Sequence, residues 1–263
     1  MVLDPTPPPR YRVGNGDFEY VPLERRRLLL VGAPPGAGKT ALVMQWVFDA
    51  LRFDAELRVL VCNVEMAPED LLTRELSRVS GVALDDIQDR SYLTNSKKAE
   101  QANLALDQIG TITDRIRFVK PPFTLEQVAK FDEDFDASII ILDYIQRIPA
   151  TSEQSGDLRT QSNETMDLVR RFADHDKAII CISSVARDKD GHGKAYSNLG
   201  LGSFKESGEY EFGADCCYLL QPNGDNGEMM LKNPKSRHWR PRDIQLKFHR
   251  RCQRFVARGA DGK

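Results

Sequence analysis

The sequence lacks the long hydrophobic runs that a membrane-spanning helix requires. Apolar stretches such as residues 28–31 and 139–142 are far shorter than the roughly 20 residues that cross a bilayer. No basic segment followed by an apolar segment opens the chain, so we expect neither a secretory signal nor a membrane protein. The proline-rich start, MVLDPTPPPR, is typical of a flexible leader.

Cysteines at the spacings typical of disulfide frameworks or metal sites are also lacking. The chain has five cysteines, at Cys62, Cys181, Cys216, Cys217 and Cys252, and none of them forms a C-x-x-C pair. Four of them lie in apolar runs that read as strands. This pattern argues against a disulfide framework and against a zinc site, and it predicts a reducing, cytoplasmic location.

The net charge gives no sign of a polyanionic partner, because 37 Lys and Arg stand against 39 Asp and Glu, for a net charge of −2. The charge is unevenly distributed, however. Residues 232–258, which we call the basic segment, carry a net charge of +9, and the rest of the chain carries −11. Its basic residues are Lys232, Lys235, Arg237, Arg240, Arg242, Lys247, Arg250, Arg251, Arg254 and Arg258. Such a segment is typical of a solvated surface or of an anion site, and composition alone leaves both open.

Short apolar runs alternate with helix-like segments along most of the chain. We predict strands at residues 28–31, 58–63, 116–119, 138–142, 178–183, 215–220, 228–231, 243–248 and 253–256. We predict helices at 41–51, from 68 to 81, within 82–115, at 125–131 and at 166–173. Leu104 and Leu106 lie in the helical segment within 82–115. We predict polar loops at 153–163 and 187–208. The alternation indicates an α/β fold: a largely parallel β-sheet flanked by helices, with a C-terminal antiparallel hairpin region.

A phosphate-binding motif follows the first predicted strand. Residues 33–40 read APPGAGKT, which matches the P-loop pattern, and a helix follows at once. We therefore assign nucleotide binding to Pro35, Gly36, Ala37, Gly38, Lys39 and Thr40. The backbone surrounds phosphate oxygens, the lysine neutralises the β- and γ-phosphates, and the threonine hydroxyl binds Mg²⁺. The chain has no N-K-x-D motif for guanine, so ATP is the expected nucleotide.

Two acids are placed to serve this nucleotide. Asp143 ends the apolar run at 138–142, where a P-loop protein needs its second metal carboxylate. Tyr144 follows it, so the Glu that follows this Asp in many P-loop ATPases is missing. Glu65 stands just past the strand after the P-loop helix, at the strand ends where open α/β sheets bind ligands. We expect Glu65 to be the general base that orients water, although an acid near Pro68 is also a common helix start.

These segments together resemble the RecA-like motor domain of the DnaB-type replicative helicases, from about residue 26 to residue 256. GAPPGAGKTALVMQ resembles their Walker A segment, and NVEMAPEDLLTREL resembles the segment that carries their catalytic Glu. IIILDYIQRI resembles their Walker B segment, and SFKESGEYEFGAD their DNA-binding loop. KSRHWRPRDIQLKFHRRCQRF resembles their C-terminal hairpin. Five motifs in the same order make the resemblance specific.

The resemblance implies a RecA-like P-loop NTPase core that assembles into a hexameric ring, with ATP bound at each subunit interface. It implies that Arg237 is the arginine finger for the neighbouring subunit's γ-phosphate and that Lys235 stands beside it. A cation supplied in this way stabilises transition-state charge.

The resemblance also implies that the chain tracks single-stranded DNA through the pore of the ring. Lys205 would supply a cation, the backbone near Gly208 would approach a phosphate, and Glu206 would act as a spacing or inter-subunit group. Arg187 lies in the same predicted loop and would assist. Contacts of this kind give binding that is independent of sequence and sensitive to salt, and they would place the protein at the nucleoid.

Two departures from the family leave three hypotheses open. Relatives commonly carry a Gln, which senses the γ-phosphate, where this chain has Ser184. The family's N-terminal collar is not matched: we expect a flexible leader at 1–25, a single RecA-like ATPase domain at 26–258, a tail at 259–263, and a separate loader or collar partner. The first hypothesis is an ATP-dependent DNA helicase motor. The alternatives are a RecA/KaiC-like regulatory or recombination-mediator ATPase, and a nucleotide-gated assembly module, both without unwinding activity.

Overall fold

The computed structural model of the chain describes residues 10–152, 158–185, 199–200, 202–204 and 208–259. These residues form a nine-stranded sheet with the strand order β3-β2-β4-β5-β1-β6-β7-β8-β9. The strands are β1 (Leu28–Ala33), β2 (Val59–Asn63), β3 (Ile116–Phe118), β4 (Ile139–Asp143), β5 (Ala178–Ser184), β6 (Cys216–Pro222), β7 (Glu228–Ser236), β8 (Ile244–His249) and β9 (Arg254–Ala257).

Helices flank this sheet. They are α1 (Lys39–Phe53), α2 (Pro68–Ser80), α3 (Leu84–Gln88), α4 (Ser96–Gly110), α5 (Leu125–Phe135), α6 (Leu158–Asp174) and α7 (Gly208–Gly213). Single 3₁₀ turns occur at Gly16–Tyr20, Ser91–Thr94, Thr113–Arg115, Ile145–Arg147 and Arg250–Cys252. Over the described ranges, none of these helices combines the length and the apolar character that crossing a membrane would require.

The sheet has a parallel part and an antiparallel part. In the parallel part, the neighbouring strands β3, β2, β4, β5, β1 and β6 all run in the same direction. In the antiparallel part, each of the strands β7, β8 and β9 runs opposite to the strand before it. Every residue of the parallel strand β4 is buried, because helices cover both faces of such a sheet. Along β1, Leu29 and Val31 belong to the core beneath α1, and Leu28 and Leu30 belong to the core beneath α5 and α6. The predicted parallel sheet with an antiparallel C-terminal region is confirmed.

Helix α1 joins the two parts of the sheet. Its Gln45 is 4% exposed, accepts a hydrogen bond from Phe255 N at 2.8 Å and donates one to Phe255 O at 2.8 Å. This pair of bonds attaches β9 to the helix that begins at the P-loop. Most residues of α1 are buried, because the sheet covers one side of the helix and the C-terminal strands reach the other.

Residues 10–25, which the sequence assigned to a flexible leader, pack against the core instead. Val13, Phe18 and Leu23 are 0%, 2% and 1% exposed. The Phe18 ring contacts the Trp46 ring of α1 edge-on, with centroids 6.2 Å apart. The composition of the first ten residues is the only sign of a leader, and it does not extend to this apolar segment.

The apolar residues of α4 are unevenly buried. Leu104 and Leu106 lie on this helix, but they are 58% and 47% exposed. The buried face consists of Ala102, Ala105 and Ile109, which pack with α2 in a separate small core. Small residues allow the two helices to approach closely, so the helix turns its alanines inward and its leucines outward.

Helix boundaries agree with the prediction at α2 and differ at α6. Helix α2 begins at Pro68 and ends before Gly81, as its start and stop signals indicate. Helix α6 begins at Leu158, so the predicted loop at 153–163 is wrong for residues 158–163. That stretch is polar because it includes the outer face of an amphipathic helix.

A buried ionic cluster connects α1 to α2. Arg78 Nε lies 2.7 Å from Glu75 Oε2, and Arg78 Nη2 lies 2.8 Å from Asp49 Oδ1. Arg52 Nη2 lies 2.7 Å from Glu75 Oε1. The side chains of Arg78 and Glu75 are only 9% and 2% exposed. Burial alone would lower the pKa of Arg78, but the two acids outweigh it and raise that pKa, so the cluster stays charged and fixes α2 on the P-loop helix.

Replacing Arg78 with Met should lower the free energy of unfolding by about 3–5 kcal/mol, because the buried Glu75 then loses one of its two arginine partners. Urea denaturation measures the change. The matched control is Lys247→Met, which removes an exposed cation 4.0 Å from Glu228 and should cost about 0–1 kcal/mol. Equal losses in the two variants would contradict a special role for the buried cluster.

Candidate nucleotide-binding site

The P-loop follows the buried strand β1 and leads into α1. Gly36 and Gly38 have φ values of 73° and 94°, which glycine adopts without a steric cost. Space also confines Gly38, since a Cβ there would lie 3.0 Å from Phe255 Cζ and 3.1 Å from Phe248 Cε1. These two rings stack with their centroids 4.1 Å apart. Aromatic rings of strands β8 and β9 therefore pack against the P-loop.

The ends of β2 and β4 and the start of α1 meet at the carboxylate of Asp143, which is 1% exposed. Its Oδ2 accepts hydrogen bonds from Thr40 Oγ1 and from Asn63 Nδ2, each at 2.7 Å. Asn63 Oδ1 in turn accepts from the backbone N–H groups of Glu65 and Met66, at 2.9 and 2.8 Å. This network sets the position of the Thr40 hydroxyl and of the turn that carries Glu65.

The second carboxylate oxygen of Asp143, Oδ1, is buried and has no hydrogen-bond partner among the described residues. Burial, with a smaller contribution from the charge of Glu65, raises the pKa of Asp143 to about 6, although Thr40, Lys39 and Asn63 act in the opposite direction. A buried carboxylate oxygen without a partner, next to a threonine hydroxyl, fits a site for a hard cation with oxygen ligands such as Mg²⁺.

An open cleft of about 670 Å³ lies beside this network. Glu65 lines the cleft together with four residues of the P-loop: Gly36, Gly38, Lys39 and Thr40. Four basic side chains also line it: Lys39, Arg74, Arg147 and Arg250. A concave site with this excess of positive charge is suited to a polyphosphate.

Lys235 and Arg237 lie at the opposite edge of the sheet from the P-loop of their own chain. Ser236 pairs with Cys216, and Cys216 pairs with Leu29 near the start of β1, whereas the P-loop follows the end of β1. At about 3.3 Å per residue, the two levels are roughly 13 Å apart along the strands. The structure therefore does not bring these two predicted catalytic cations to the P-loop of the same chain.

The last turn of α7 holds both cations. Lys235 Nζ donates hydrogen bonds to Glu211 O at 2.5 Å and to Phe212 O at 3.2 Å, and the Arg237 guanidinium also donates to Phe212 O. The backbone N–H of Arg237 donates to Asp215 O at 2.8 Å. Carbonyl groups at a helix C-terminus favour cations, so α7 determines where Lys235 and Arg237 lie.

Most of the predicted DNA contacts fall outside the described residues. Arg187, Lys205 and Glu206 all lie there, and Gly208 is the first residue of α7. The adjacent Phe204 is described, and it is 1% exposed.

Sequence reasoning missed four residues of the site: Asn63, Arg74, Arg147 and Arg250. Asn63 carried a signal, because it ends the strand directly before the segment of Glu65. Arg250 was one of many cations in the basic segment, and nothing in the spacing distinguished it. In the structure its Nη1 donates a hydrogen bond to Gly36 O at 3.1 Å, so part of the basic segment serves the chain's own cleft.

Comparison with known proteins agrees with this geometry. The family model described as DnaB-like helicase C terminal domain matches residues 19–257. The replicative DNA helicase DnaB of Helicobacter pylori strain J99 is 26% identical over 206 residues, which cover 73% of this chain and 39% of that protein. Its counterpart in a second strain is 25% identical over 202 residues, with the same coverage. The chain thus spans about two fifths of the length of the curated relatives it matches.

Solved structures show the same fold. A solved ATPase domain superposes with a TM-score of 0.76 at 19% identity, covering 88% of this chain and 85% of that chain. A DnaB-like replicative helicase, solved in a study of its interactions with primase, gives 0.77 at 19% identity over 89% and 58% of the two chains. The RadB recombinase gives 0.52 at 13% identity over 86% and 89%. The predicted RecA-like fold is confirmed.

We expect Asp143 to titrate near pH 6 in the protein without nucleotide. The folded pKa lies above the unfolded value of about 3.9, so this group favours folding at low pH, and the contribution is lost as the pH rises from about 4 to about 6. Carboxyl ¹³C NMR measures the pKa, with Asp143→Asn to assign the signal. Adding Mg²⁺ and ADP should lower it, because a cation displaces the proton. A value below 4 in the nucleotide-free protein would contradict the expectation.

Proposed function

We propose that this chain, which belongs to the family of DnaB-like helicase C-terminal domains, is an ATP-hydrolysing helicase motor that moves along single-stranded DNA. One observation carries the proposal: the 2.7 Å hydrogen bond between the Thr40 hydroxyl and the buried Asp143 carboxylate, beside the cleft that Glu65 shares with the P-loop. The residues proposed for phosphate binding, cation binding and water activation lie close together, which supports the proposal.

The residues at this corner fit a magnesium ion. The Thr40 hydroxyl and the Asp143 carboxylate would hold it, and the unpartnered Asp143 Oδ1 supports that assignment. When bound, Mg²⁺ neutralises charge on the phosphate oxygens and orients them. Lys39 contributes a further positive charge on the P-loop side of the cleft, where it stabilises the β- and γ-phosphates.

Glu65 is the proposed general base. Its side chain is exposed, lines the cleft and lies near enough to Asp143 for its charge to raise that residue's pKa. The Asn63 side chain holds the backbone N–H of Glu65, which fixes the turn from which the carboxylate reaches into the cleft. In this position Glu65 accepts a proton from the water that attacks the γ-phosphate.

Lys235 and Arg237 act in this proposal on the nucleotide of a neighbouring subunit. Their place at the sheet edge opposite their own P-loop, held by α7, supports a role between subunits. Six copies in a ring, as in the DnaB-type helicases that the sequence resembles, would give each nucleotide a P-loop from one copy and an arginine finger from the next.

The DNA contacts in this proposal come from the segment around α7. Lys205 and the backbone near Gly208, assisted by Arg187, would contact the phosphates of the strand rather than its bases, and Glu206 would act as a spacing or inter-subunit group. A helicase of this kind also needs to be loaded, and we propose a separate loader or collar partner.

Glu65→Gln should lower the rate of ATP hydrolysis by about 10²–10⁴-fold and leave ATP binding intact. The ATPase rate with and without single-stranded DNA measures this in both proteins. The control is Glu69→Gln, an exposed acid in the first turn of α2, which should hydrolyse normally. DNA stimulation together with unwinding of a forked duplex supports the helicase. Stimulation without unwinding would support a mediator ATPase. Absence of turnover in the wild type would contradict both enzymatic functions.

Arg237→Ala should lower the ATPase rate by about 10³–10⁵-fold, and mixing it with the inactive Glu65→Gln protein should restore turnover. In mixed rings the Glu65→Gln subunits still supply Arg237 to neighbours that keep an intact Glu65. Lys247→Met, in the same basic segment, is the control and should hydrolyse normally. Full turnover of Arg237→Ala alone, or no recovery on mixing, would show that the arginine does not act between subunits.

A further inference from the structure

The Phe204 ring packs directly against Gly32. A Cβ built on Gly32 would lie 2.5 Å from Phe204 Cε1 and 2.6 Å from Cζ, and 2.9 Å from Val185 Cγ1. Real Cβ atoms essentially never show such short distances, so the ring occupies the space of the missing side chain. Phe204 is 1% exposed, and the contact is thus part of the core rather than a surface contact.

This contact joins two functional segments. Gly32 lies in β1, one residue before Ala33, where the P-loop motif begins. Phe204 immediately precedes Lys205, the cation predicted to contact DNA. Val185, the third member of the contact, follows the last residue of β5. The Phe204 side chain, which precedes the predicted DNA segment, therefore packs on the backbone of the strand that leads to the nucleotide site.

The end of β5 lies beside this contact. Its last residue, Ser184, pairs with Ala33 of β1. Gln146 holds the end of the strand, because its Nε2 donates to Ser183 Oγ at 2.7 Å and to Ser184 O at 3.3 Å. The strand end is therefore fixed by hydrogen bonds one residue before Val185, which belongs to the Phe204 contact.

We propose that Phe204 is a positioning residue that couples nucleotide binding to DNA binding through its contact with Gly32. This inference rests on the proposed function. Protein interiors are close-packed and transmit displacement, so a shift of β1 when the P-loop binds phosphate moves the ring and, with it, the backbone that leads to Lys205. The coupling is mechanical, and the side chain at position 184 is not needed for it.

The decisive variant is Phe204→Leu. Leucine remains apolar and fills much of the same space, but it has no counterpart of Cε1 and Cζ, the ring atoms nearest Gly32. The measurement is the affinity for a fluorescein-labelled oligo-dT strand, by polarisation, with and without a non-hydrolysable ATP analogue. In the wild type the analogue should change the affinity by about 5–150-fold, the usual range of coupling between two sites. In Phe204→Leu the change should fall to within about twofold of none, with unaltered basal ATPase rate and analogue affinity.

Two further variants separate coupling from stability. Leu199→Ala truncates another buried residue of the same core, 4% exposed, and should lower the melting temperature while retaining the wild-type change in DNA affinity. Gly32→Ala should lower the melting temperature through the clash with Phe204, and Gly32→Ala/Phe204→Leu should regain part of it, since Val185 Cγ1 still lies 2.9 Å from the added Cβ, without regaining the coupling. Such rescue is the sign of two residues in direct contact.

The outcomes distinguish this inference from the proposed function. A wild-type protein that binds no single-stranded DNA would overturn both. A wild-type protein that binds DNA with an affinity independent of the nucleotide would overturn the coupling alone. Retention of the nucleotide effect in Phe204→Leu would overturn the role of Phe204 and leave the helicase proposal in place.

Discussion

The site depends above all on one buried carboxylate, that of Asp143. In the sheet, β5 separates β4 from β1, so the P-loop helix must reach across the end of β5 for Thr40 to bond with Asp143. That bond and the bond from Asn63 offset part of the cost of burying a charge. One oxygen is left for a cation. The same bonds orient the turn of Glu65, and a change at Asp143 would therefore disturb phosphate, metal and base positions together.

Two groups of described cations lie at the two edges of the parallel sheet. Arg74, Arg147 and Arg250 line the chain's own cleft at the carboxyl edge, where they would complement the charge of a nucleotide. Lys235 and Arg237 are held at the amino edge by the carbonyl groups of α7. Because these two groups lie at different edges, one copy in the proposed ring would present both halves of a composite site. The near-neutral total charge conceals this division.

The sequence predicted those features that depend on local pattern. The P-loop, the strand that ends in Asp143 and the order of strands and helices all follow from short motifs and from periodicity. The features it did not predict depend on the tertiary structure. Arg250 reaches Gly36 only because Gln45 attaches β9 to α1, and the alanine face of α4 is selected by its close approach to α2. Such outcomes depend on the partner of each segment, which a single sequence does not specify.

Two glycines place the P-loop segment between aromatic side chains from different parts of the chain. Gly32 receives the Phe204 ring on one face of the sheet, and Gly38 rests on Phe248 and Phe255 on the other. A Cβ at Gly32 would clash, whereas a Cβ at Gly38 would be tight against the two rings, and of the two only Gly38 also needs its positive φ. A phosphate bound to this loop would therefore act on two packed contacts at once. One leads to the predicted DNA segment and the other to the strands that carry the basic segment, so the proposed nucleotide binding, DNA binding and subunit contact would share one short length of backbone.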